Sequence, residues 1–159
     1  MSEQTFLSVV VPAYNEAQRI AGPLRQINDY LSAQGYTWEV LVADDGSTDA
    51  TASLVEGFLR DHPGFTLVRL PHGGKGWAVK SGMLAARGKF RFLCDADLSM
   101  PIEQVARFLP PALSGYDIAI GSREAPGARR IGEPPQRHLM GRFFNLLVRL
   151  LAVRGLRDT

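Results

Sequence analysis

Two carboxylates one residue apart, Asp95 and Asp97, close the apolar run of "FLCDADLSMP" at residues 92–101. If that run is a strand, alternate residues share a side, so both acids face one cleft and Ala96 between them leaves room for a ligand. Carboxylates so placed suit a hard divalent cation, Mg2+ or Mn2+, which would in turn hold a diphosphate. The competing reading is a pair of solvated loop acids, since Asp-x-Asp arises by chance in many chains.

Other chemistry-bearing residues fall at similar places. Asp44 and Asp45 end "WEVLVAD" and its neighbour, and Gly46 allows a sharp turn before Ser47–Asp49 cap a helix. Asp49 reads as a cap, whereas Asp44 can accept hydrogen bonds from a base or ribose. "GGKG" at 73–76 can bring backbone N–H groups and the Lys75 ammonium towards phosphate at a helix start. It lacks the spacing of a P-loop, and no GxGxxG follows the first strand, where "PAYNEA" stands; this argues against an oxidoreductase. His62, His72 and His138 are scattered without ligand spacing, which predicts surface or packing roles. Cys94 reads as a small buried strand residue, and Trp38 and Trp77 as core or rim residues.

The elements that must position these groups alternate. Short β-rich runs at 7–13, 38–44, 65–70, 89–95 and 117–122 are separated by helical patterns at 16–34, 48–61, 75–87 and 101–113. Asn15 or Glu16 can open the first helix and Gly35 follow it. The order predicts an α/β domain with a mainly parallel sheet covered by helices. Ligands of such sheets sit beyond the carboxyl ends of the strands, where "PAYNE", "DDGSTD", "HGGKG", "DADLS" and "GSR" all stand.

With 159 residues, 45% hydrophobic, the chain has enough apolar material for one globular domain. Its single cysteine forbids an internal disulfide and points to a reducing compartment. No basic leader precedes the first apolar run and no stretch reaches roughly 18 apolar residues, so the expected location is cytoplasmic. Net charge is +2, but eight arginines against three acids crowd residues 123–159, the end expected to meet an anionic partner. "REAPGARRIGEPPQ" (123–136) reads as a Gly/Pro/Arg-rich loop. Phe143, Leu146, Leu147, Leu150 and Leu151 then recur at helical spacing, opposite Arg142, Asn145 and Arg149. That stripe either packs on the sheet or lies in a membrane interface.

In order, "VVVPAYNE", "VADDGSTD", "GGKGWAVKSG", "DADLS" and "GSR" resemble the inverting GT-A nucleotide-sugar glycosyltransferases of family 2. More narrowly they resemble the polyprenyl-phosphate branch, the dolichyl-phosphate glucose and mannose synthases, and the closing "GLRDT" is similar to the glucosyl type. The resemblance covers nearly the whole chain and implies a Rossmann-like GT-A fold. It implies one domain over 1–159, with a nucleotide-sugar half at 1–122 and an acceptor loop and amphipathic helix at 123–159. The family continues past "RDT", so the resemblance also implies that part of the acceptor side is missing. It further implies that Pro12, Ala13, Tyr14 and Glu16 line the nucleotide pocket, with Asp44 near the base and Lys75 beside the nucleotide or phosphates. Asp97 would be the direct metal ligand and Asp95 a contact to sugar or ribose. Arg123 would lie near the phosphates, and Arg129, Arg130 and Arg137 would meet an acceptor phosphate.

The implied partners are UDP-glucose or GDP-mannose, a polyprenyl phosphate and the cytoplasmic face of a membrane, with no nucleic acid. A phosphate monoester has a second pKa of about 6, so as nucleophile it needs far less help from a base than a hydroxyl does. The rival readings are a hydroxyl-acceptor GT-A enzyme, a module that binds nucleotide and metal without turnover, and a metal phosphohydrolase. The last would need an Asp directly after the first strand, where Asn15 and Glu16 stand.

Overall fold

The computed structural model describes residues 4–121 of the chain. The chain divides into two units, residues 1–114 and 115–159, and every strand and helix below belongs to the first. Strands β1 (Leu7–Ala13), β2 (Trp38–Asp44), β3 (Phe65–Arg69) and β4 (Phe90–Leu93) form one parallel sheet in the order β3-β2-β1-β4. Helices α1 (Ala21–Ser32), α2 (Thr51–Leu59) and α3 (Lys75–Ala85) return the chain to the same edge each time, which is what parallel neighbours require. The strand order reverses between β1 and β4, so a ligand crevice is expected beyond their carboxyl ends.

β1 is buried along its length because both faces are covered. Leu7, Val9, Val11 and Ala13 project to one side, against Leu24, Ile27 and Leu31 of α1 and Val55 of α2. Val10 projects to the other, with Leu41 and Ala86. An unbroken apolar run, rather than strict alternation, is the sequence form of a strand covered twice. On Val10's side α3 lies close enough that a Cβ on Gly82 would fall 2.4 Å from Val10 Cγ1.

At the amino edge of the sheet, opposite the crevice, a polar clasp is buried. The Ser8 hydroxyl donates to Glu39 (2.6 Å) and accepts from the Gly88 amide (2.8 Å). Glu39 also accepts from the amide and guanidinium of Arg87. Burial pushes the Glu39 carboxyl up, but the Ser8 and Arg87 donors outweigh it and hold the group below the usual carboxylate range.

Three expected elements differ. The first helix begins at Ala21 rather than 16, since Asn15 turns back at φ 54° and spends its side chain elsewhere. The helix expected over 101–113 is a 3-10 helix over Ile102–Phe108. Pro110 and Pro111 supply no N–H donors, and proline drives the residue before it out of the α region; Leu109 is extended. Residues 117–121 of the expected fifth strand form no strand, and Ile118 and Ile120 are exposed there.

Candidate functional site

Beyond the ends of β1 and β2 the backbone is tied by side chains. Asn15 Oδ1 accepts from the amides of Thr48 (2.9 Å) and Asp49 (3.3 Å), and the Asn15 amide donates to Ser47 Oγ (2.9 Å). Asp49 accepts from the amides of Thr51 (2.9 Å) and Ala17 (3.1 Å), so it supports the start of α2 and also binds the β1–α1 turn. Its carboxyl is held low, chiefly by the Thr51 hydroxyl. Glu16 is paired with Arg19 through two guanidinium nitrogens.

Asp45 is the organising residue at the end of β2. Only 2% exposed, it accepts from the Gly73 amide (2.9 Å), the Gly74 amide (2.8 Å) and His72 Nδ1 (2.9 Å). The two glycine amides expected to face phosphate are therefore committed to Asp45. What the "GGKG" turn delivers instead is Lys75, the first residue of α3, whose ammonium reaches Asp95 Oδ1 at 2.7 Å. Gly46 must be glycine here: it sits at φ 70°, and a Cβ would lie 2.9 Å from the His72 amide nitrogen. The His72 ring stacks on Tyr14, centroids 4.4 Å apart.

Asp95 and Asp97 stand in a turn rather than on a strand. The Leu98 amide donates to the Asp95 carbonyl (3.0 Å), and Asp95 and Asp97 are exposed while Cys94 before them and Ala96 between them pack into the core. Ala96 thus anchors the turn rather than making room for a ligand. Asp97 Oδ1 accepts from the Ser99 amide (2.9 Å) and hydroxyl (2.7 Å). Those two bonds, with a smaller pull from Arg19, hold the Asp97 carboxyl below its ordinary value. Burial, reinforced by Asp95 and Asp97, pushes the Cys94 thiol up to about 12, which excludes it as a nucleophile near neutrality.

Asp44 is 3% exposed, and its Oδ1 is buried with no hydrogen-bond partner among the described residues. A buried acceptor left unpaired costs about 1–3 kcal/mol, so it marks a place where a ligand donor is wanted. Pro12 and Ala13 lie within β1, both buried, so they shape the floor rather than offer exposed surface. Arg123, Arg129, Arg130 and Arg137 lie outside the described residues.

The donor set fits a divalent cation in part. Among the described residues no three His, Cys, Asp or Glu side chains cluster as a cage. Asp95 and Asp97 each engage only Oδ1, leaving Oδ2 without a partner among those residues. One or two carboxylates with the remaining positions filled by water and phosphate is how Mg2+ is ordinarily held.

Sequence reasoning missed Asp45, His72, Asn15 and Arg19. His72 has no metal-ligand spacing to mark it, since its partner Asp45 stands 27 positions earlier. The one available signal was the pair of Asp residues before Gly46, of which only the first was singled out.

A parallel sheet whose strand order reverses beside acidic turns is an α/β architecture in which ligands sit beyond the carboxyl ends of the strands. The sequence model described as "Glycosyl transferase family 2" matches residues 8–154, and the chain belongs to that family. It is 38% identical over 173 residues to the dolichyl-phosphate beta-glucosyltransferase of Drosophila melanogaster, covering 96% of this chain and 52% of that protein. The Trichomonas vaginalis dolichyl-phosphate beta-glucosyltransferase ALG5C is 33% identical, covering 98% and 50%. The chain thus spans about half the length of these relatives. Among solved structures, the mannosyltransferase PcManGT from Pyrobaculum calidifontis, in complex with GDP-Man and Mn2+, superposes with a TM-score of 0.54 at 32% identity, covering 66% of this chain and 31% of that one. The fold is of the GT-A type.

Proposed function

We propose that the chain is an inverting glycosyltransferase that moves glucose from UDP-glucose to a polyprenyl phosphate of the dolichyl type. The observation that carries this reading is the Lys75–Asp95 contact at 2.7 Å, which joins the β3–α3 turn to the two-carboxylate turn at the order reversal. The relatives' names supply the acceptor and sugar, and the GDP-Man and Mn2+ of PcManGT support a nucleotide sugar with a divalent cation.

In this reading the nucleoside lies over Pro12, Ala13 and Tyr14, near Glu16, with a donor group directed to Asp44 Oδ1. Asp95 contacts sugar or ribose. Asp97 would hold Mg2+ or Mn2+, which supplies charge neutralisation at the diphosphate. Lys75 and Arg123 stabilise the leaving nucleoside diphosphate as the bond from C1 to its β-phosphate oxygen breaks. The attacking oxygen belongs to the lipid phosphate, so C1 inverts and no protein base has to take a hydroxyl proton. Arg129, Arg130 and Arg137 bind the acceptor phosphate, which guanidinium groups meet in a bidentate way at the membrane surface.

The test is transfer from radiolabelled UDP-glucose, with Mn2+, to dolichyl phosphate. An organic-extractable β-linked glucosyl phosphate is expected. Transfer only to hydroxyl acceptors, or nucleotide binding with no product on any acceptor, overturns the reading.

A further inference from the structure

The Asp45 carboxylate does more than hold a turn. His72 Nδ1 lies 2.9 Å from Asp45 Oδ2 and 3.0 Å from the Asp45 carbonyl oxygen. Both are acceptors only, so in the neutral ring the proton sits on Nδ1, and Nε2 carries a lone pair. With Nδ1 held against buried Asp45 and the His72 side chain 56% exposed, the Nε2 edge is the one left towards solvent, and it makes no hydrogen bond among the described residues. Its orientation is fixed twice, by Asp45 in the ring plane and by the stack on Tyr14. Tyr14 is itself 43% exposed, so the pair forms an open aromatic shelf with one acceptor at its rim.

We infer that His72 is a specificity-determining residue for the nucleobase, with Asp45 as the positioning residue that fixes its tautomer. The Nε2 lone pair lies in the plane of the imidazole, so a base that approaches edge-on beside the His72 ring meets it with its Watson–Crick edge. Uracil N3 and guanine N1 carry a hydrogen and are accepted. Cytosine N3 and adenine N1 carry lone pairs and are disfavoured, because two acceptors then face each other and neither gains a hydrogen bond. The inference rests on the nucleotide-sugar reading above and deepens it, restricting donors to nucleotides whose base presents a ring N–H.

The test is calorimetric titration of the chain with UDP and with CDP, each with Mn2+, at about pH 8.5, above the range in which imidazoles ordinarily gain a proton. The unmodified chain should bind UDP more tightly than CDP. His72→Phe keeps an aromatic ring against Tyr14 and removes the acceptor, so the UDP-to-CDP ratio of dissociation constants should shrink by roughly tenfold through weaker UDP and stronger CDP binding. His72→Gln, which restores an acceptor, should recover part of the preference, and thermal melts of both variants check that they fold. A His72→Phe variant that loses affinity for both nucleotides equally, or keeps its preference, overturns the inference alone. Failure of the unmodified chain to bind either nucleotide overturns the inference together with the reading beneath it.

Discussion

Replacing Glu39 with Ala should unlock the clasp at the amino edge of the sheet, and its cost can be worked bond by bond. Glu39 accepts from Ser8 Oγ (2.6 Å), the Arg87 amide (2.7 Å), and Arg87 Nε (3.1 Å) and Nη2 (2.8 Å). The Arg87 side chain is 77% exposed, so its guanidinium finds water and contributes little to the loss. The Ser8 hydroxyl is fully buried and has no such recourse, and the Arg87 amide is part-buried, so stranding the pair costs about 2–4 kcal/mol. Glu39→Gln keeps a carbonyl oxygen for those two donors and should cost only about 1 kcal/mol. Urea unfolding followed by circular dichroism measures both; at an m-value of about 2 kcal/mol/M, the Ala variant's midpoint should fall by about 1–2 M. The sign with pH follows from a folded-state pKa held below the unfolded one. The ionised clasp contributes fully above the unfolded carboxyl value of about 4.3 and is lost as pH falls through the folded value, so the Gln deficit should vanish in acid. Equal losses in the Ala and Gln variants, or a Gln deficit independent of pH, would refute the reasoning.

Two further outcomes test the site. Asp97→Ala should abolish the Mn2+-dependent part of UDP binding in calorimetry while the melting temperature holds, because Asp97 bonds only to neighbouring Ser99 among the described residues; unchanged metal dependence removes Asp97 from the metal role. Replacing Arg129, Arg130 and Arg137 together with Ala should raise the KM for lipid phosphate more than that for the nucleotide sugar, and should weaken salt-sensitive binding to anionic vesicles. The reverse KM pattern places these arginines over the donor.

Much of the fold was legible because its information is local. β1 and β2 occupy the residues the apolar runs marked, and α3 begins at Lys75 as its glycines announced. Local signals failed where a distant partner decides. Asn15 looks like a helix cap, but its carbonyl oxygen serves Thr48 and Asp49, over thirty residues later. The Gly73 and Gly74 amides look ready for phosphate until Asp45, brought in by the β2–β3 pairing, takes both. Alternation placed Asp95 and Asp97 on one side, while the turn at Leu98, a non-glycine residue at φ 50°, could not be read from it. Long-range hydrogen bonds leave no spacing in the sequence, which is why Asp45 and His72 surfaced only when the strands were set side by side.

The position of β1 between β2 and β4 makes the sheet a measuring device. Neighbouring strands stand about 4.8 Å apart, so the Asp44 end and the Asp95 turn are separated by two such steps, about 10 Å. Backbone hydrogen bonds set that interval, and no side-chain exchange can lengthen or shorten it. Substitution along the rim can therefore alter which chemical groups are welcomed at either end, but a molecule that touches both must itself reach across about 10 Å.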